Sequence, residues 1–108
     1  MDSLQDQLWT LGIWTAKPGR EGDFEAAWVA FATWTSEHQP GALDARLLRD
    51  TQDPRRFFSF GPWEDADAVR AWRETPQFQT FVMQVRELCD DFQPCSLRLV
   101  AHITPAHA

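Results

Sequence analysis

The sequence predicts an α+β domain in which one four-stranded antiparallel sheet carries helices on a single face. Three observations lead there. Apolar and aromatic runs, stopped by Pro and Gly, alternate with stretches of helical spacing in the order strand, helix, strand, strand, broken helix, strand. A chain of 108 residues is the size of one domain. Its composition is 44% apolar, with six Trp and eight Phe, enough to fill a core of that size.

The first strand is expected over Leu8–Ala16, which is aromatic and β-branched and is stopped by Lys17-Pro18-Gly19. A helix follows from about Glu21 to Glu37. Phe24, Ala27, Trp28, Phe31 and Thr35 recur on one side of it, and Gln39-Pro40-Gly41 ends it. Leu43 to Asp50 and Arg56 to Gly61 read as a hairpin about the polar turn Thr51–Arg55. Asp65 is a plausible N-cap for a second helical region bearing Ala68, Val69 and Trp72. Thr75-Pro76 interrupts it. The helical spacing then resumes through Phe78, Phe81, Val82, Val85, Leu88, Cys89 and Phe92, and Pro94 stops it. The last strand is expected over Leu97 to Ile103, where apolar and polar residues alternate.

This order fits the ferredoxin-like split βαβ arrangement. Such a sheet leaves one face uncovered, and Trp9 or Trp14, Phe57 or Phe58, and Val100 have to point there. An apolar sheet face normally marks an interface, so a homodimer packed sheet on sheet, with a shared barrel-like core, is expected.

Charge narrows the function. Sixteen acids against ten bases leave a net charge of -6, which argues against a nucleic-acid or anionic-membrane partner. No apolar run approaches the ~18 residues of a membrane span, and Met1-Asp2-Ser3 lacks a basic signal-peptide start. Cys89 and Cys95 are too few for a disulfide scaffold, so a cytoplasmic location is expected. No Gly-rich phosphate loop or metal-ligand spacing occurs. The acids Glu64, Asp65 and Asp67 are explained by a helix start alone. Neither a cofactor nor a metal is expected.

Four pieces of sequence resemble a known family. These are Lys17-Pro18-Gly19-Arg20-Glu21 before Phe24, Pro40-Gly41-Ala42-Leu43, Asp53-Pro54-Arg55-Arg56-Phe57, and Trp63-Glu64-Asp65 followed by Ala68, Trp72, Thr75-Pro76 and Phe78. In that order and at those separations they resemble the antibiotic biosynthesis monooxygenase family of dimeric α+β barrel proteins, from about Leu8 to Ile103. The resemblance implies one of two activities. One is cofactor-independent oxidation of aromatic phenols or anthrones by molecular oxygen. The other is oxidative haem breakdown, which uses a helix His, an Asn on the first strand and a nearby Trp. Trp63 fits the Trp position, but Val82 stands where the His belongs and Gly12 near the Asn, so the haem activity is not expected.

Oxidation of a phenol or anthrone needs an aromatic-walled cavity and a group that favours the substrate anion. Trp63 is the first candidate, at the step from strand to helix. Trp28, Phe31, Trp72 and Phe78 are candidate substrate-binding walls, for each of which plain core packing is the simpler reading. Arg98 and His102 lie four apart and so share a face of the expected last strand; they are the candidate catalytic polar pair. Arg46 is a weaker candidate. His38 reads as a helix C-terminal residue, and His107 as part of a tail. The alternative is a non-catalytic dimer that binds a small molecule or serves a structural role. A cavity filled by the protein's own indoles would favour it.

Overall fold

The computed structural model describes residues 7–106; Met1-Asp2-Ser3 and His107 lie outside them. The elements run β1 (Leu8–Ala16), α1 (Glu21–His38), β2 (Arg46–Arg49), β3 (Arg56–Trp63), α2 (Ala66–Arg73), α3 (Pro76–Leu88) and β4 (Cys89–Arg98). The strands form one antiparallel sheet in the order β2-β3-β1-β4, as the split βαβ reading requires. In a single subunit the sheet is open.

Period-two alternation sorts the side chains of β1 and β3. Trp14 and Ala16 on β1 and Phe57 and Trp63 on β3 are buried beneath the helices. The same alternation puts Trp9, Leu11 and Ile13 on the opposite face, in register with Pro62, Phe60 and Phe58. Trp14 and Phe57 therefore serve the core, while Trp9 and Phe58 serve the outer face.

The helices bury the stripe their spacing predicts. Phe24 and Thr35 of α1 are buried, and Ala27, Trp28 and Phe31 pack against the same cluster. From α3 come Phe81, Val85 and Leu88. The break between α2 and α3 has a local cause. Thr75 caps α3 by accepting from the Phe78 N–H (3.1 Å), and Pro76 occupies the first turn, where its missing N–H costs nothing. Asp65 caps α2 by accepting from the Ala68 N–H at 2.8 Å, so it is structural.

The C-terminal third departs from expectation. α3 ends at Leu88 rather than Phe92, and the last strand is Cys89–Arg98 rather than Leu97–Ile103. Two physical features explain this. β4 lies at the sheet edge, where a proline is tolerated, so Pro94 sits within the strand opposite Gly12. The register also shifts between Thr15 and Ala16, with Asp91 opposite Thr15 but Cys89 opposite Ala16. That bulge returns Cys89 and Phe92 to the helix-facing side three residues apart, a spacing that imitates one helical turn. Val100 and Ile103 are exposed beyond the strand. β2 is likewise shorter than expected, because Leu43–Ala45 form a loop.

Cys89 is packed in the core, 7% exposed. Its thiol is pushed up from 9.0 to about 11, by burial first and by the Asp90 charge second, with Lys17 opposing. The folded value lies above the unfolded one, so the neutral thiol contributes stability in full below about pH 9. That contribution is lost as the pH rises through about 11. Denaturant midpoints measured across this window are expected to fall less steeply in Cys89→Ala than in the parent. Parallel slopes would refute the assignment.

Candidate active site

The core rings pack closely around Trp14. Trp14 stacks on Phe92 (4.0 Å) and meets Phe24 and Phe81 at 5.2 and 5.7 Å. Beside these rings, toward the step from β3 into α2, a cavity of about 430 Å³ remains between helices and sheet, and Trp14, Phe81 and Phe92 are part of its lining. That volume falls in the range of small-molecule sites. The cavity is not filled by the protein's own indoles.

Five expected wall residues meet there: Trp28 and Phe31 from α1, Trp63 from β3, Trp72 from α2 and Phe78 from α3. Trp63 and Trp72 lie 4.7 Å apart, Trp72 and Phe78 meet edge-on at 4.8 Å, and Phe31 lies 5.7 Å from Trp72. Edge-to-face and tilted contacts of this kind hold rings in defined orientations. The exposed Val29 and Leu43 belong to the lining as well and mark its mouth.

Hydroxyls make up most of the polar lining. Trp63 Nε1 donates to Thr10 Oγ1 (3.1 Å), Trp14 Nε1 to Ser59 Oγ (3.0 Å) and Trp72 Nε1 to Thr35 Oγ1 (3.0 Å). The N–H groups of Trp14, Trp63 and Trp72 are thus already used. Each hydroxyl that accepts one keeps its own O–H as a donor, polarised by the bond it receives. Thr10 and Ser59 stand on the helix-facing side of β1 and β3, opposite Gly61 and Gly12 respectively.

Both glycines are required by close approach. A Cβ at Gly12 would lie 2.7 Å from the Trp14 indole, which occupies the space over this residue. A Cβ at Gly61 would overlap the Asp44 carbonyl, so this glycine lets the Leu43–Ala45 loop reach the cavity.

Two charged residues belong to the lining, Asp44 and Arg73. Asp44 is paired with Arg46 at 3.2 Å. Arg73, at the end of α2, makes one long hydrogen bond from Nη2 to Ser96 Oγ, 3.3 Å. Arg98 and His102 do not line the cavity. Arg98 is the exposed last residue of β4 and His102 is exposed beyond it, so the common strand face expected for the pair does not form. His38 Nδ1 lies 2.9 Å from the Trp34 carbonyl at the end of α1, where the ring stacks on Trp34.

Sequence reasoning missed Thr10, Ser59, Thr35 and Arg73. The available signal was phase: Thr10 and Ser59 share the inward alternation of Trp14 and Phe57. A lone hydroxyl residue in a strand carries no such meaning until the register is known.

The sequence matches the antibiotic biosynthesis monooxygenase family over residues 12–84, more than half of the chain. The chain belongs to that family. No curated protein matches it closely enough to count as a relative. Among solved structures it is similar to SnoaB, a cofactor-independent oxygenase from Streptomyces nogalater, with 22% identity and a TM-score of 0.79. That alignment covers 94% of this chain and 99% of SnoaB. A Pseudomonas aeruginosa protein aligns at 23% identity and a TM-score of 0.78, covering 93% of this chain and 100% of its own. A Shewanella oneidensis protein aligns at 20% and 0.81, covering 90% and 95%. At these identities the likeness is one of fold.

Within the family fold, the cavity does not fit haem. Its lining holds no His or Cys, Val82 is part of it, and the space over Gly12 is taken by an indole. Among the described residues no three His, Cys, Asp or Glu side chains converge as a metal site would require. None of the described helices is long and apolar enough to cross a membrane.

Proposed function

We propose that this family member is a homodimeric, cofactor-independent monooxygenase that oxidises an aromatic phenol or anthrone with molecular oxygen. The observation that carries the reading is the open aromatic cavity with hydroxyl donors set against its indoles. Trp63, Trp72, Trp28, Phe31 and Phe78 hold a planar ring system and exclude water from it. The Thr10 and Ser59 hydroxyls donate to an oxygen of the ring, stabilising the phenolate or enolate form that reacts with oxygen directly. One oxygen atom enters the product as a new carbonyl and the other leaves as water, taking up the two hydrogens lost by the ring. Arg98 and His102 have no part in this within one subunit.

The homodimer is supported by the outer sheet face. Trp9, Leu11, Ile13, Phe58 and Phe60 lie on it by register, and Leu48 and Leu97 are 52% and 44% exposed there. A second sheet covering this face would remove that surface from water. The free Cys89 and Cys95 suit a reducing, cytoplasmic setting.

Oxygen uptake by flavin-free and metal-free protein given a dihydroxyanthrone tests the reaction, with heat-denatured protein as control. Uptake matched by quinone formation is expected. The Thr10→Val, Ser59→Ala double variant is expected to lower kcat by about 10²-fold, the usual effect of removing donors to a developing anion. Uptake no faster than the control would favour the alternative, a binding module without turnover, while parent-like kcat in the double variant would remove the hydroxyls from the chemistry.

A further inference from the structure

We propose that Arg73 is the anion anchor of the cavity, and that the molecule bound there is an ionised aromatic acid, carrying a carboxylate or phenolate on a fused ring. The inference rests on the site proposed above and names the charge class of its ligand. It comes from how the arginines are used. Of the nine, Arg20, Arg46, Arg49, Arg55, Arg56 and Arg70 each pair with a carboxylate among the described residues. Three do not: Arg73, Arg86 and Arg98. Arg86 and Arg98 are exposed and outside the cavity, whereas Arg73 is half-buried and part of its lining.

In a chain with sixteen acids, a cation in a cavity wall with no acid partner among the described residues is unusual. Its one bond, to Ser96, leaves most of the guanidinium donors unused, and their planar fork matches a carboxylate. The single acid of the lining, Asp44, is already neutralised by Arg46. The lining therefore carries one cation that no acid of the lining balances, although the whole protein is negative. Arg73 directly follows Trp72 on α2, and its carbonyl accepts from Gln79 Nε2 (3.1 Å), which ties the end of α2 to α3. A flat ring against Trp72 and Trp63 brings an anionic substituent within reach of this residue.

The test is equilibrium binding of a matched, oxidation-resistant pair, 2-naphthoate and its neutral amide, followed by quenching of Trp fluorescence. The parent is expected to bind the carboxylate at least about tenfold more tightly, as one charge-assisted hydrogen-bonded pair allows. Arg73→Gln is expected to level the two affinities by weakening only the carboxylate, Arg73→Lys to keep part of the preference, and Arg86→Gln to keep all of it. Near-UV circular dichroism shows whether Arg73→Gln keeps its packed aromatic core; if it does not, the Arg73→Lys comparison decides. Equal affinities in the parent, binding of neither probe, or a preference that survives in Arg73→Gln (or is undiminished in Arg73→Lys) overturns the assignment. Oxygen uptake is measured separately. Its absence alongside an Arg73-dependent preference removes the oxidation reading and leaves the anchor standing, and the reverse pattern removes the anchor alone.

Discussion

Trp14→Ala is expected to lower the free energy of unfolding by about 3–5 kcal/mol. Trp14 is 5% exposed and stacks on Phe92, its register partner across β4, with ring planes 10° apart. It also touches Phe24 and Phe81, so it joins the sheet to α1 and α3 at a single point. Truncation leaves a void that rings fixed by their own packing cannot close, and it removes the N–H donated to Ser59. Domains of this size are stable by about 5–15 kcal/mol, so the variant is expected to sit near the limit of folding. Urea denaturation measures the loss. Trp14→Phe, which retains most of the ring contact, is expected to lose less than half as much. A loss below about 1 kcal/mol in the Ala variant would show that this part of the core is not the rigid support of the cavity.

Phe58→Asp is expected to convert a dimer into a folded monomer. Phe58 lies on the outer sheet face, in register with Ile13 on β1 and Leu48 on β2, so it is central to the apolar patch. In a symmetric dimer each interface receives two copies of the substitution. Placing a carboxylate in an apolar contact costs at least about 2 kcal/mol per copy, which raises the dimer Kd about a thousandfold. Within one subunit the new carboxylate faces solvent and lies near Arg56, whose guanidinium carbon is 4.9 Å from the Phe58 ring centre, so the fold survives. Sedimentation equilibrium is expected to read twice the 12.5 kDa chain mass for the parent and the single chain mass for the variant. A monomeric parent would refute the homodimer and leave the outer face without a partner.

Where the chain is governed by local chemistry, sequence and structure agree closely. The Lys17-Pro18-Gly19 stop, the Asp65 cap, the break at Thr75-Pro76 and the inward stripe of α1 all stand where their residue types place them. The inward direction of Trp28, Phe31, Trp72 and Phe78 was legible for the same reason, because they lie on helix faces whose spacing identifies the inward side, while the cavity they line was not. Neither was the polar half of the site. Arg98 and His102 looked paired only under a strand assignment that placed β4 eight residues late. The bulge near Ala16 had given Cys89 and Phe92 the spacing of a helix.

The sequence by itself determined the element order, the sheet-and-helix class and the aromatic character of the inward faces. Each of these follows from periodicity, capping and composition, which act over a few residues at a time. Only the tertiary structure decided that β4 begins at Cys89, that the N–H groups of Trp63, Trp14 and Trp72 are spent on Thr10, Ser59 and Thr35, and that Arg73 lines the cavity without a carboxylate partner among the described residues. Those facts depend on strand register and on contacts between residues more than twenty positions apart, such as Thr10 with Trp63 and Arg73 with Ser96. Pairing free energy across a sheet outweighs local preference along it, and the register it selects sets which face every side chain occupies.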